Sequence, residues 1–246
     1  MKRVHSGIPG LDPLIDGGIP AGHSVLVTGS CGTGKTIFGL QFLKAGAESG
    51  EPGVYITFEE SRDKIISQAK AFGWDFEALE RKGMLTLYIA DNADVSEILA
   101  EVESLVKKKG VQRFVLDSLT TMVEHGVIYR SKISKEMSRL DREGEARSFP
   151  VAGGEVTRKD IYYIVGRINE LGVTSLLISE VGEETPFLSR DTISEFAADG
   201  VIFLRNEMGG GFERLLSVRK MRGTKIDTKR CPFEFTPQGL KVVSEE

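Results

Sequence analysis

Short apolar runs alternate with helical patterns along most of the chain. Five runs are short and apolar, as buried strands are: 24–28, 53–58, 84–89, 111–116 and 173–179. Between them, apolar residues recur at helical spacing and predict helices over 35–48, 61–72, about 95–106 and about 157–171. We therefore expect an α/β fold with a mostly parallel central sheet flanked by helices on both faces.

The pattern changes after the fifth run. Residues 200–205, 212–221 and 231–235 are strand-like, and no helical pattern separates them. We expect these segments to add antiparallel strands at the C-terminal edge of the sheet. No internal repeat or low-complexity linker divides residues 1–246, which we predict to be one domain.

One polar segment, about 124–160, stands apart from this alternation. It carries balanced charge and two glycine-rich stretches, and residues 132–143 within it have a helical pattern. Two interpretations stay open: a surface insertion, or a lid or partner-binding loop, since long loops in compact domains are often functional.

Composition narrows the class of protein. The 246 residues carry a net charge of −4, with 40% hydrophobic and 28% charged residues, as in soluble globular proteins. An acidic chain does not favour a general nucleic-acid binder. There is no apolar run of membrane-spanning length and no signal peptide at the N-terminus, so we expect a cytoplasmic protein. Cys31 and Cys231 lack CxxC spacing and are expected to be reduced thiols.

The strongest chemical signal is the pattern Gly-x-x-x-x-Gly-Lys-Thr at 29–36, between a predicted strand and a predicted helix. Glycines there let backbone N–H groups and the helix N-terminus surround phosphate oxygens. Lys35 supplies a charge for the β- and γ-phosphates, and the Thr36 hydroxyl is a Mg²⁺ ligand. We predict a site for ATP and Mg²⁺ formed by Gly29, Ser30, Cys31, Gly32, Thr33, Gly34, Lys35, Thr36 and Ile37.

Polar residues end three of the predicted strands. Asp117 follows the fourth, where a carboxylate holds Mg²⁺ through water, although a helix cap is the alternative. Glu59 and Glu60 follow the second, and they are either candidates to activate the attacking water or two solvated charges. Ser179-Glu180 end the fifth and are either a γ-phosphate sensor or a cap.

A basic cluster lies late in the sequence. Strand alternation puts Lys220 and Arg222 on one face, where two cations can clamp a phosphate. The same pattern fits a solvated edge that discourages aggregation, so spacing alone leaves both interpretations open. The cluster comprises Arg219, Lys220, Arg222, Lys225, Lys229 and Arg230.

In order along the chain, these motifs resemble the KaiC-like branch of the RecA superfamily. Residues 7–12 and 17–20, with the phosphate loop, resemble that family's N-terminus. The segments 57–61, 72–75 and 116–120 resemble its catalytic-glutamate segment, the stretch after it and its Walker B region. Residues 217–224 resemble the strand that reaches a neighbouring subunit, and the likeness covers roughly 3–120 and 160–245.

The resemblance implies a single-domain, RecA-like ATPase in a homo-oligomeric ring, expected to be a hexamer with nucleotide between subunits. It implies slow Mg²⁺-dependent hydrolysis with a regulatory or signalling role, and Glu59 or Glu60 as catalytic base. It also implies that Lys220 and Arg222 act on the neighbour's nucleotide, with Met221 and Thr224 beside it.

Three departures from the family pattern limit the comparison. The circadian-clock members carry two such domains in tandem, and their autophosphorylated Ser-Thr pair aligns with Glu195-Phe196, so we do not expect autophosphorylation here. Ile226 stands where the family often has a histidine near the adenine.

The sequence is also compatible with three other functions. One is a nucleotide-dependent binding switch that acts on an unknown protein partner and turns over ATP incidentally. Another is a recombinase-like or helicase-like motor on nucleic acid, which the acidic charge does not favour. A small-molecule P-loop kinase is a weaker option, because no acceptor pocket is evident.

Overall fold

The computed structural model describes residues 1–90, 94–128, 154–183, 185–208 and 212–243. Most of its strands belong to one nine-stranded sheet. In chain order the strands are β1 (Arg3–Val4), β2 (Ile19–Pro20), β3 (Ser24–Gly29), β4 (Gly53–Thr57), β5 (Leu85–Ile89), β6 (Arg113–Asp117), β7 (Val127–Ile128), β8 (Gly154–Glu155), β9 (Thr174–Glu180), β10 (Gly200–Met208), β11 (Phe212–Met221), β12 (Arg230–Thr236) and β13 (Gly239–Val242).

The sheet is parallel over most of its width. Its order is β13-β12-β11-β10-β3-β9-β6-β4-β5, and the six strands from β10 to β5 run parallel to one another. The last three strands, β11 to β13, pair antiparallel at one edge. This arrangement confirms the predicted fold class, including the antiparallel additions at the C-terminal edge.

Helices cover both faces of the sheet. They are α1 (Lys35–Glu48), α2 (Arg62–Ala71), α3 (Phe76–Arg81), α4 (Val95–Lys109), α5 (Leu119–His125), α6 (Arg158–Glu170) and the short α7 (Ser194–Ala197). Apolar side chains of α1, α2 and α3 form one buried cluster with the sheet, and those of α4, α5 and α6 form the other. The central strands β3, β4 and β6 are buried along their whole length, as expected for parallel strands covered on both faces.

The N-terminal twenty residues form a small unit beside α1. β1 pairs antiparallel with β2, and a 3₁₀ helix (Asp12–Ile15) lies between them. Ile8, Leu11, Ile15 and Ile19 are fully or almost fully buried and join the α1-side core. This unit lies against the turn after β11, since the Asp227 N–H donates to the Leu14 carbonyl at 2.9 Å.

Several elements were not expected from the sequence. The helices α3 and α5 and the strand β13 had no prediction, and the second predicted strand ends at Thr57, before Glu59. The predicted helix over 132–143 and most of the segment 124–160 lie outside the described residues.

Candidate functional site

The phosphate loop, residues 29–36, connects the end of β3 to the start of α1. Gly34 occupies the N-cap of α1 with φ 95°, and no side chain caps the first turn, so its N–H groups are open to an anion. A Cβ added at Gly34 would lie 2.4 Å from the ring of Phe235. One added at Gly29 would lie 2.3 Å from the Leu204 carbonyl oxygen. Both positions therefore require glycine, which keeps the loop shaped as a cradle for a phosphate.

Lys35 places its ammonium inside that cradle. Its Nζ donates to the carbonyls of Gly29 at 3.0 Å and Ser30 at 2.9 Å, and the residue is only 6% exposed. The Glu180 Oε1, at the end of β9, lies 3.7 Å away. Two neutral carbonyls and one partly exposed carboxylate thus hold the Lys35 ammonium beside the loop, where phosphate oxygens would bind.

Thr36 and Asp117 meet although they lie on different elements. The Thr36 Oγ1 donates to the Asp117 Oδ2 at 2.8 Å, and the phenol of Tyr55 donates to the same oxygen at 2.5 Å. Burial raises the pKa of the Asp117 carboxyl, and hydrogen bonds from Tyr55 and Thr36 oppose this shift. Burial and the charge of Asp117 raise the pKa of Tyr55 well above its usual value, so the phenol remains a donor. A hydroxyl and a carboxylate side by side form an oxygen donor set that suits Mg²⁺.

Glu59 and Glu60 have different surroundings. The Glu59 carboxylate accepts from the hydroxyls of Ser118, at 3.4 Å, and Thr121, which lie one and four residues after Asp117. The Glu60 carboxylate instead accepts twice from the Gln68 amide on α2, at 2.7 and 3.0 Å. Both glutamates lie close enough to Asp117 for their charges to raise the pKa of its carboxyl, so they differ in hydrogen-bond partners: Glu59 bonds residues beyond Asp117, and Glu60 bonds α2.

The end of β9 is joined to the Asp117 side of the site. Thr120 Oγ1 accepts from the Glu180 N–H at 2.9 Å and lies 3.2 Å from the Ser179 hydroxyl. Ser179 and Thr120 are buried, whereas the Glu180 side chain is 44% exposed. These contacts hold Glu180 at the edge where Lys35 lies.

Lys220 lies near the end of β11 and Arg222 in the turn after it, and both lie away from the phosphate loop of their own chain. Both donate to the Phe196 carbonyl, Lys220 at 3.1 Å and Arg222 at 3.3 Å. The Arg222 N–H donates to the Asp199 carbonyl, and the Asp199 N–H donates to the carbonyl of Ser24, where β3 begins. Gly29, where the phosphate loop begins, ends the same strand. At about 3.3 Å per residue it lies roughly 16 Å from Ser24, so the basic pair is at the opposite end of β3.

The two cations differ in their freedom. Lys220 also donates to the carbonyls of Glu195 at 3.1 Å and Ala198 at 2.6 Å, and burial lowers its pKa. Arg222 pairs with Asp199 at 3.0 Å while its side chain remains 56% exposed. Arg222 is therefore the member of the pair that faces solvent. Met221 is buried and Thr224 lies in the turn after it.

Sequence reasoning did not find three residues of this region. Tyr55 bonds Asp117, Thr121 bonds Glu59, and Phe235 packs against Gly34. A tyrosine inside an otherwise apolar strand was a usable signal, because its hydroxyl needs a partner when buried. Phe235 gave no signal, since only the sheet order brings β12 near the loop. Among the described residues no cluster of three or more His, Cys, Asp or Glu residues suits a metal.

Comparison with known proteins identifies the class. The family model "ATPase: KaiC" matches residues 4–146 and 151–246. The UPF0273 protein of Methanopyrus kandleri is 32% identical over 100% of this chain and 94% of its own length. The circadian clock oscillator protein KaiC of Prochlorococcus marinus is 31% identical over 98% of this chain and 46% of its own length. This chain thus spans about half the length of that clock protein.

A solved structure agrees with these matches. The KaiC-like protein of Pyrococcus horikoshii is 36% identical, with a TM-score of 0.77, over 99% of both chains. The chain belongs to the KaiC ATPase family, which confirms the resemblance read from its motifs. In the described part of the chain, no helix has the length and apolarity needed to cross a membrane.

Proposed function

We propose that this protein binds ATP with Mg²⁺ at residues 29–37 and hydrolyses it slowly between the subunits of a homo-oligomeric ring, with a hexamer as the expected size. The observation that carries the proposal is the hydrogen bond of Thr36 to Asp117 beside the buried ammonium of Lys35. Membership of the KaiC ATPase family supports it. We further propose that residues 1–246 form one domain and that the protein is cytoplasmic, with a regulatory or signalling role.

The donor set fits Mg²⁺. Thr36 would bind the ion directly and Asp117 through water, as the corresponding residues of P-loop NTPases do. Bound there, the ion neutralises charge on the β- and γ-phosphates. Tyr55 holds the Asp117 oxygen in place, because its phenol donates to that oxygen at 2.5 Å.

Glu59 is the residue that the contacts favour as the base. Its carboxylate lies with Ser118 and Thr121 beside Asp117, whereas the carboxylate of Glu60 is engaged by Gln68. In this proposal Glu59 orients the attacking water and accepts its proton, while Lys35 holds the γ-phosphate.

The basic pair would act in trans. Arg222 lies near the start of β3, whereas its own phosphate loop follows the end of that strand. Its side chain is 56% exposed. An arginine supplied by a neighbour stabilises charge on the transferred phosphate and contributes on the order of 10³-fold or more in rate. Lys220, Met221 and Thr224 would line the same neighbouring nucleotide. Autophosphorylation is not part of the proposal, since Glu195 is a buried carboxylate and Phe196 has no acceptor.

A first experiment measures hydrolysis and assembly together. Phosphate release and mass by light scattering are followed with and without ATP–Mg²⁺. We expect slow phosphate release, a ring-sized particle with nucleotide, and loss of release when EDTA removes the metal. A monomer that hydrolyses ATP at its full rate would rule out the ring.

A second experiment separates trans from cis action. Lys35→Ala subunits lack a working phosphate loop, and Arg222→Ala subunits lack the arginine. Each alone should be nearly inactive, and mixing them should restore part of the activity, because some interfaces then combine an intact loop with an intact arginine. If mass spectrometry of tagged subunits shows mixed rings and no activity returns, Arg222 does not act on the neighbour.

Two other functions are distinguished by separate assays. A binding switch predicts a partner that binds only the ATP state and keeps its affinity in Glu59→Gln. A motor on nucleic acid predicts stimulation of phosphate release by single-stranded DNA, which the net charge of −4 does not favour.

A further inference from the structure

The side chain of Arg3 fills a socket made by residues 15–18. Its Nη1 donates to the carbonyls of Ile15 at 3.4 Å and Gly18 at 3.2 Å. Its Nη2 forms an ion pair with Asp16 at 2.8 Å, and only 19% of the arginine side chain is exposed. Asp16 itself is held with φ 55°, a conformation that suits Asp and Asn best among non-glycine residues. The guanidinium is therefore fixed in orientation by the N-terminal unit.

Arg3 also reaches the turn that follows β11. Its Nη1 donates to the Thr224 Oγ1 at 2.7 Å, between residues 221 positions apart. A guanidinium only donates, so the threonine oxygen is the acceptor and its own hydrogen is free to point elsewhere. That hydrogen is directed to the Arg222 carbonyl at 3.4 Å. One continuous chain of hydrogen bonds thus runs from Arg3 through Thr224 to the backbone of Arg222.

A second contact holds the far end of the same turn. The Asp227 N–H donates to the Leu14 carbonyl at 2.9 Å, and Leu14 belongs to the same N-terminal unit as Arg3. The turn from 222 to 227 is consequently tied at both ends to residues 1–20. Exposed turns are otherwise more mobile than the elements they connect.

We propose that Arg3 is a positioning residue that orients Arg222 toward the nucleotide of the neighbouring subunit. This inference rests on the proposed trans action of Arg222. Arg3 touches neither its own phosphate loop nor the neighbour's ATP in this scheme. It acts through Thr224, by fixing the backbone from which the Arg222 side chain extends. A displacement of about 1 Å at such a group costs up to roughly 10²-fold in rate.

The test uses mixed rings, because they assign a defect to one side of the interface. In a mixture of Lys35→Ala and Arg222→Ala subunits, only the first donates Arg222 and only the second holds ATP productively. Arg3→Ala is added to one or the other. On the Lys35→Ala subunit it should lower the recovered kcat by roughly tenfold to a hundredfold, with KM for ATP unchanged. On the Arg222→Ala subunit it should leave the recovered rate unchanged.

Each outcome has one meaning. Equal losses on both sides would show that Arg3 supports folding generally, and no loss on either side would show that it does not position Arg222; both overturn the inference. Absence of recovered activity in the parent mixture contradicts the proposed function instead.

Asp16→Asn keeps the backbone conformation and removes only the ion pair, so it replaces Arg3→Ala in the test if Arg3→Ala fails to fold. It should lower the recovered kcat on the donating side, and no effect there overturns the inference. Lys107→Ala, which removes an exposed ion pair on α4, should change nothing.

Discussion

The Thr36 hydroxyl donates a 2.8 Å hydrogen bond to the Asp117 carboxylate, between residues 81 positions apart in the sequence. Thr36 lies in the first turn of α1 and Asp117 ends β6, and β6 is separated from β3 by β9. The contact shows that the two candidate metal ligands, predicted from separate motifs, are adjacent in the structure. The proposed Mg²⁺ site depends on this contact.

Thr36→Ala tests the metal role directly. Loss of the hydroxyl should weaken ATP binding in the presence of Mg²⁺ far more than binding in EDTA, because the hydroxyl contacts the ion rather than the phosphates. Calorimetry in both buffers measures the difference, and Thr36→Ser, which keeps the hydroxyl, is the matched control. An equal loss of affinity with and without metal would contradict the assignment.

Glu59→Gln and Glu60→Gln should differ. We expect Glu59→Gln to lower turnover by roughly 10²–10⁴ while sparing ATP affinity, since an amide cannot accept the proton of water. Glu60→Gln should retain most of the rate, because its carboxylate is bonded to Gln68. Single-turnover phosphate release compares the two variants. The opposite order would make Glu60 the base, and parent rates in both would place the base elsewhere.

Gly34→Ala should damage the phosphate loop. The residue has φ 95°, and a Cβ would meet Phe235 at 2.4 Å, so we expect destabilisation of at least about 1 kcal/mol and loss of ATP-induced stabilisation. Gly166→Ala is the control, because a Cβ on that α6 glycine meets nothing within 4 Å. Thermal unfolding with and without ATP–Mg²⁺ gives both values. A Gly34→Ala protein that ATP stabilises as it does the parent would contradict this account of the loop.

The buried Arg113 gives a prediction about stability. It is 1% exposed, donates to Glu51 at 2.8 Å and to the Phe42 carbonyl at 2.7 Å, and burial lowers its pKa. Glu51→Leu leaves this charge without its counterion and should cost about 3–5 kcal/mol in urea unfolding. Glu48→Gln, which breaks an exposed pair with Lys44, should cost under about 1 kcal/mol. Similar costs for the two would show that Arg113 finds other compensation.

The strands could be predicted from the sequence because buried strands have a recognisable pattern of apolar residues. Parallel strands such as β3 and β6 are buried on both faces and appear as short apolar runs. The short helix α3 was missed because its six residues, Phe76–Arg81, are too few to show a helical period. The strand β13 was missed because only four residues pair with β12.

Local motifs predicted the phosphate loop and Asp117, but they did not show which of the surrounding charged residues lie close to the loop. The sequence offered Glu59 and Glu60 equally, and their hydrogen-bond partners separate them: Thr121 bonds Glu59, and Gln68 on α2 bonds Glu60. Likewise, spacing placed Lys220 and Arg222 on one face, but their distance from the phosphate loop follows from sheet order. The contact of Arg3 with Thr224 joins residues near opposite ends of the chain, and no local pattern encodes it.

ATP binding to Lys35→Ala, measured by calorimetry with Mg²⁺ present, tests the central claim most directly. The matched control is Lys44→Ala, which removes a lysine of the same helix that pairs with Glu48 at the surface. The account predicts that Lys35→Ala loses tight binding while keeping the parent circular dichroism spectrum, and that Lys44→Ala binds as the parent does. Undiminished affinity in a folded Lys35→Ala protein would contradict the nucleotide site at residues 29–37.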